Sequence, residues 1–195
     1  MTPGELVARV AVVVGGAPER LCEQALRGAF ADVCRQTRLW TRRCSLAVPE
    51  EHRAASQSVF ELDPPPENAL RDDIRDIRVN GDRLPGFSGN VHVGAILDAM
   101  GLAKAGDTLE WEETLVPNGG GLEILPDAVV LAGGDAAACA AAARLMEMPR
   151  RPWSNPSAAV AAWREFSRKL ATLVHRDVAA GRHGLQMGIA GCIDE

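Results

Sequence analysis

Three groups of side chains in this sequence have the type and spacing for chemistry. Asp72, Asp73 and Asp76 form one carboxylate group, and Glu110, Glu112 and Glu113 form another. Paired acids can act as general acid and base across a scissile bond. On a strand or sheet edge, the same run makes a solvated face. The third group is basic: Arg35, Arg38, Arg42 and Arg43 gather beside Trp40. It reads either as a solvated helix end favoured by the helix dipole, or as a contact surface for an acidic partner, because Arg and Trp together mark binding hot spots.

Other chemistries lack their residues. His52, His92, His175 and His183 share no metal-ligand spacing. His175 and Asp177 are two apart on a helical stretch and do not face each other. Gly119-Gly120-Gly121 has no following Lys-Ser/Thr, and Gly15-Gly16 lacks the rest of a phosphate loop. Ser45, Ser56, Ser58 and Ser88 lack a nucleophile elbow. Cys22, Cys34, Cys44, Cys139 and Cys192 are odd in number and contain no CxxC pair. They read as reduced thiols acting as small apolar residues, in a chain that folds in a reducing compartment. No catalytic residue, metal or cofactor is expected.

The elements that would position these groups change character along the chain. A short helical piece at about 3–12 precedes a longer helix at about 18–38. In the longer one, Leu21, Ala25, Leu26, Ala29, Phe30 and Val33 recur at helical spacing behind Pro18. The middle reads as short strands: 44–48, 58–62 closed by Pro64-Pro65-Pro66, and Ile74-Ile77-Val79 leading into the hairpin signal Asn80-Gly81. Residues 109–116 and 122–125 complete that set, with a brief helix at 93–102. Helical pattern returns in the Ala-rich stretch 135–148, whose start is obscured by Gly133-Gly134. Pro149 and Pro152 break it. Asn155-Pro156 then restarts a helix to about 179, with a stripe of Val160, Trp163, Phe166, Leu170, Leu173, Val174 and Val178. Leu26, Phe30, Val33, Leu145, Trp163, Phe166 and Leu170 are expected to share one core.

The expected fold is α+β: a helical bundle from residues 1–43 plus 126–180, a β-rich insertion at 44–125, and a C-terminal tail at 181–195. Charge follows the same borders, with formal values of +3 for residues 1–49, −10 for 50–127 and +2 for 128–195. The net −5 argues against generic nucleic-acid binding. No run approaches eighteen uninterrupted apolar residues, so no membrane span is expected. The first residues lack the basic region of a secretory signal. In the tail, Gly181, Gly184, Gly188 and Gly191 alternate with apolar Leu185, Met187, Ile189 and Ile193. Such a segment is costly to order alone and suits docking on a partner.

Two blocks carry a family resemblance. Pro18–Phe30, "PERLCEQALRGAF", followed by Asp32–Trp40, "DVCRQTRLW", resembles the opening helix of phage head-to-tail adaptor proteins, where an "ALR-A-x-x-F-C-x-x-(S/T)-x-x-W" string precedes the first strand. Val33 stands where Phe is common. Ala140–Trp153, "AAAARLMEMPRRPW", with Ser154-Asn155-Pro156, is similar to the family's "GA-x-x-RLL-x-x-P-x-x-PW-x-NP" stretch, with Ala142-Ala143 where Gly-Ala is usual. The blocks cover about a third of the chain, in the family's order.

The resemblance implies a non-enzymatic virion component at the head–tail interface, folded in the host cytoplasm. It implies a homo-oligomeric ring, typically twelve-fold, between the portal protein and a tail or nozzle/terminator protein. Genomic DNA would pass through the ring without sequence-specific contacts. The tail, with Leu185, Met187, Ile189 and Ile193, would engage the portal; separately, on residue type alone, Arg35, Arg38, Trp40, Arg42 and Arg43 are the candidate surface for a further partner. Two other readings stay open at this point. One is a small bacterial enzyme built on His175, Asp177 or the Asp72/Asp73/Asp76 acids, and the other a monomeric helical interaction module.

Overall fold

The computed structural model describes residues 2–52, 57–90 and 94–179 and has a mixed α+β fold. Helix α1 (Pro3–Val14) starts on a reciprocal cap between Thr2 and Glu5 and ends where Gly15 takes a left-handed φ of 77°. Helix α2 (Glu19–Thr37) ends on Arg38, also left-handed at φ 57°, whose N–H donates to the Cys34 carbonyl. Six antiparallel strands follow: β1 (Thr41–Ala47), β2 (Ser58–Glu61), β3 (Ala69–Val79), β4 (Phe87–Asn90), β5 (Ala95–Asp98) and β6 (Thr108–Pro117). They form two three-stranded sheets, ordered β1-β6-β3 and β2-β5-β4. Helices α3 (Asp127–Met146) and α4 (Pro156–Ala179) return to α1 and α2.

Two apolar clusters result. One gathers the helices and contains Leu26, Phe30, Val33, Leu145 and Phe166, with Trp163 and Leu170 packed half-buried against it. The expected core set therefore does pack together. The other lies between the sheets, around Phe60, Ile74, Ile96, Leu109 and Trp111. The sheets approach closely there: a Cβ on Gly89 of β4 would stand 2.5 Å from Ile74 Cβ on β3.

Four local expectations need correction. The α3 helix begins at Asp127, not near 135, and runs through Gly133-Gly134. Gly133 serves close packing, because a Cβ there would meet Leu39 at 3.0 Å and Val33 at 3.1 Å. Helix α3 is also long and apolar enough to cross a membrane by length and composition, contrary to expectation, but most of it is buried against the other helices. Residues 95–98 of the expected brief helix form β5, the middle strand of its sheet. Ala95, Ile96 and Asp98 are all buried there, so the two-residue alternation of a strand is lost. Residues 122–124 make a single 3-10 turn, not a strand, leaving Leu122 and Leu125 on the helical core.

The Asn80-Gly81 turn forms, with φ of 51° and 86° and paired bonds between Val79 and Asp82. The chain then leaves through Pro85, and β3 pairs with β6 instead of with the strand after the turn.

The α4 stripe is less buried than its spacing suggests. Val160 is 50% exposed. Trp163 is half-buried, with its ring 5.6 Å from Phe166 in an edge-to-face pair and its indole N–H donating to Glu147 Oε1 at 2.7 Å. Full burial of Trp163 would predict a loss of about 3–5 kcal/mol on truncation. Given its exposed edge, Trp163→Ala should cost about 2 kcal/mol, and Trp163→Phe about 1 kcal/mol through the lost hydrogen bond. Chemical denaturation of the two variants measures both, and equal losses would refute this division.

Candidate functional site

The reactive-looking residues converge where α2 meets the β1-β6-β3 sheet. β1 and β6 are paired in register, with Arg42 opposite Glu113, Arg43 opposite Glu112 and Ser45 opposite Glu110. Alternation sends Trp111 and Glu113 of β6 to the buried side and Glu110 and Glu112 to the outer one. β3 is irregular between Arg71 and Asp73 and again between Arg75 and Arg78. Asp76 lies in the second irregular stretch with φ 47°. Such bulges re-aim side chains that a regular strand would send elsewhere.

At the centre is Glu113, with no exposed surface. Its carboxylate accepts from Arg42 Nε at 2.6 Å and from Arg71 Nε at 2.5 Å. Arg71, itself 6% exposed, also donates to the Asp63 carbonyl at 2.5 Å. A carboxylate shut away from water requires this double pairing.

Around it, Arg35 donates to Asp72 at 2.9 Å, and Arg38 lies 3.8 Å from Asp73, which Arg75 also holds. Burial pushes the Asp73 carboxyl up from its usual range, against the pull of Arg38. Arg78 binds Asp76 through both its Nε and Nη2.

Three of the arginines singled out in the sequence therefore have acid partners from the two carboxylate groups, Asp72, Asp73 and Glu113. Arg35, Arg38 and Arg42 are met inside the chain. Arg43 stands apart, with a side chain 91% exposed and 3.9 Å from Glu112. Trp40 is half-buried against the helical core, and its carbonyl accepts from the Leu115 N–H at 2.8 Å. Leu185, Met187, Ile189 and Ile193 lie outside the described residues, as do His92, His183 and the side chain of Asp177. His175 is exposed. Asp72, Asp73 and Asp76 are each occupied by a guanidinium, which leaves no free acid–base pair among them. Among the described residues, no group of His, Cys, Asp or Glu could hold a metal ion.

On the outer face of the same sheet, a cleft of about 430 Å³ is lined by residues that include Arg43, Ser45, Asp76, Arg78, Glu110 and Glu112. Glu110 is exposed and takes part in no ion pair among the described residues.

The four cysteines in the described residues are free thiols. Burial raises Cys34 to about 12 and also raises Cys22, Cys44 and Cys139. Cys22 and Cys34 are buried, whereas Cys44 and Cys139 are half-exposed. In the native protein at pH 8, a thiol reagent should leave Cys22 and Cys34 unlabelled and modify Cys44 and Cys139 slowly. Peptide mapping after labelling checks this, and early modification of Cys34 would contradict it.

Sequence reasoning missed Arg71 and the buried role of Glu113. A signal existed: Trp111 and Glu113 share one face of β6, so one acid had to enter the apolar side and bring a partner with it. No family model matches the chain, and no curated protein matches it.

Proposed function

We propose that this chain is a structural head-to-tail adaptor of a tailed phage. It would form a ring, twelve-fold in the family it resembles, between the portal and the tail, with no enzymatic activity. One observation carries the reading. The two sequence blocks behind the resemblance lie against each other in the fold. Arg144 of the second block pairs with Asp32 of the first, and its guanidinium covers Gly28, where a Cβ would stand 2.7 Å from Nη1. Leu145 is buried in the same cluster as Leu26 and Phe30. Residues 112 positions apart thus form one unit, as expected if the two blocks are parts of one family signature.

In this reading the four helices are a bundle that frames the ring, and residues 44–125 are a β-rich insertion projecting from it. The acidic middle of the chain suits a conduit that DNA crosses without sticking, since phosphate affinity grows with neutralising Lys and Arg. A contact between unlike surfaces that closes on itself is what cyclic symmetry requires. The tail at 181–195 engages the portal.

The test is the mass and particle image of the purified chain, alone and co-expressed with the portal protein of its own virion. The expected species is a ring of roughly twelve 20.8 kDa subunits. A monomer under both conditions would overturn the proposal. Deleting residues 182–195 should leave the helical core folded and remove stable attachment to the portal. Full occupancy of the portal by the truncated chain would defeat that part.

A further inference from the structure

The turn between α3 and α4 is exposed and braced by its own hydrogen bonds. The Asn155 N–H donates to the Met146 carbonyl at 2.9 Å, and the Ser154 N–H donates to the Arg151 carbonyl at 3.0 Å. Pro149 and Pro152 bracket two arginines, and Trp153 anchors the turn against the helical core. Arg150 holds a left-handed φ of 58°, which a residue with a side chain adopts at a cost. Arg150 and Arg151 are both exposed, and neither guanidinium has an ion-pair or hydrogen-bond partner among the described residues.

The cleft on the outer face of the β1-β6-β3 sheet has the opposite need. Asp76 is matched by Arg78 at 3.0 Å, and Glu112 faces Arg43 at 3.9 Å. Glu110, on the central strand between Ser45 and Arg78, is left over. The concave surface therefore has one unmatched carboxylate, and the exposed turn has two unmatched guanidiniums.

We propose that the Arg150–Arg151 turn of one copy docks into this cleft of the neighbouring copy, with a guanidinium on Glu110. This rests on the ring reading and names the contact that would build the ring. The occupant is a second copy because the chain itself carries both complementary surfaces. The two surfaces differ, so the contact runs head to tail and can close into a ring. Arginine suits the role, because its planar fork binds a carboxylate through two parallel bonds.

Charge exchange tests the contact, read by sedimentation over a concentration series. The Arg150→Glu/Arg151→Glu double variant and the Glu110→Arg variant should each weaken self-association at least tenfold. Combining all three changes in one chain should restore it. Circular dichroism should be unchanged throughout, because all three side chains are exposed. Wild-type association should also weaken as salt rises from about 0.1 M to about 1 M, which shortens the screening length from about 10 Å to about 3 Å.

If the double variant still forms wild-type rings, this contact is refuted while the ring reading stands. If the double variant forms rings but loses the portal, the turn belongs to the portal and the inference is again refuted. A charge-exchangeable dimer in place of a ring would uphold the contact and overturn the ring reading. A wild-type chain that stays monomeric alone and with portal would overturn both.

Discussion

Glu113→Ala should lower the unfolding free energy by about 3–5 kcal/mol, the range for breaking a buried ion pair by removing one partner. Glu113 is fully buried, and Arg71 beside it is 6% exposed. Removing the carboxylate leaves the Arg71 guanidinium desolvated, with only the Asp63 carbonyl as acceptor among the described residues. Arg42 suffers less, because at 37% exposure it can turn to water.

The cost should therefore follow Arg71, and a second variant separates the two effects. Glu113→Leu combined with Arg71→Met removes both buried charges and should recover most of the loss, to within about 2 kcal/mol of the wild type. Urea unfolding at pH 7 measures each variant. A single-variant loss under about 1 kcal/mol would mean that water reaches this site and that the pairing is not structural.

The second large effect lies in the helical core. Phe30→Ala should cost about 3–5 kcal/mol, in the upper part of that range. The cost of a cavity depends on how far its lining can collapse. Phe30 is fully buried on α2 and faces α3 at Gly133, where an added Cβ would be 3.6 Å from its ring. From that contact toward its C-terminus, α3 buries only small residues for two turns, Gly134, Ala136, Ala137, Ala138, Ala140 and Ala141, which have no long side chain to move into the space. Phe30→Leu, which keeps most of the volume, should cost less than half as much. In a chain of this size, the alanine variant should melt about 10 °C lower. Similar melting temperatures for the two variants would show that α3 moves in to fill the gap.

Local pattern was enough to read much of this protein. The apolar spacing of Leu26, Phe30 and Val33 and the Pro156 start of α4 are chemical signals within one or two helical turns. The sequence alone therefore determined α2 and α4, the strand-rich middle and seven residues that pack in the helical core.

Only the tertiary structure decided where the charges go. Arg35 finds Asp72, Arg42 finds Glu113 and Arg144 finds Asp32 across 37, 71 and 112 positions, separations that no local periodicity encodes. The same limit explains the misread elements. β5 shows no alternation because it is covered on both faces, with Ala95, Ile96 and Asp98 all buried. α3 runs through Gly133 because packing against Val33 and Leu39 outweighs its poor helix propensity. A surface arginine cluster and two acid clusters, read separately, suggested binding and catalysis. Folded together, Arg35, Arg38 and Arg42 are met by Asp72, Asp73 and Glu113, because a charge carried toward the interior must bring its partner with it.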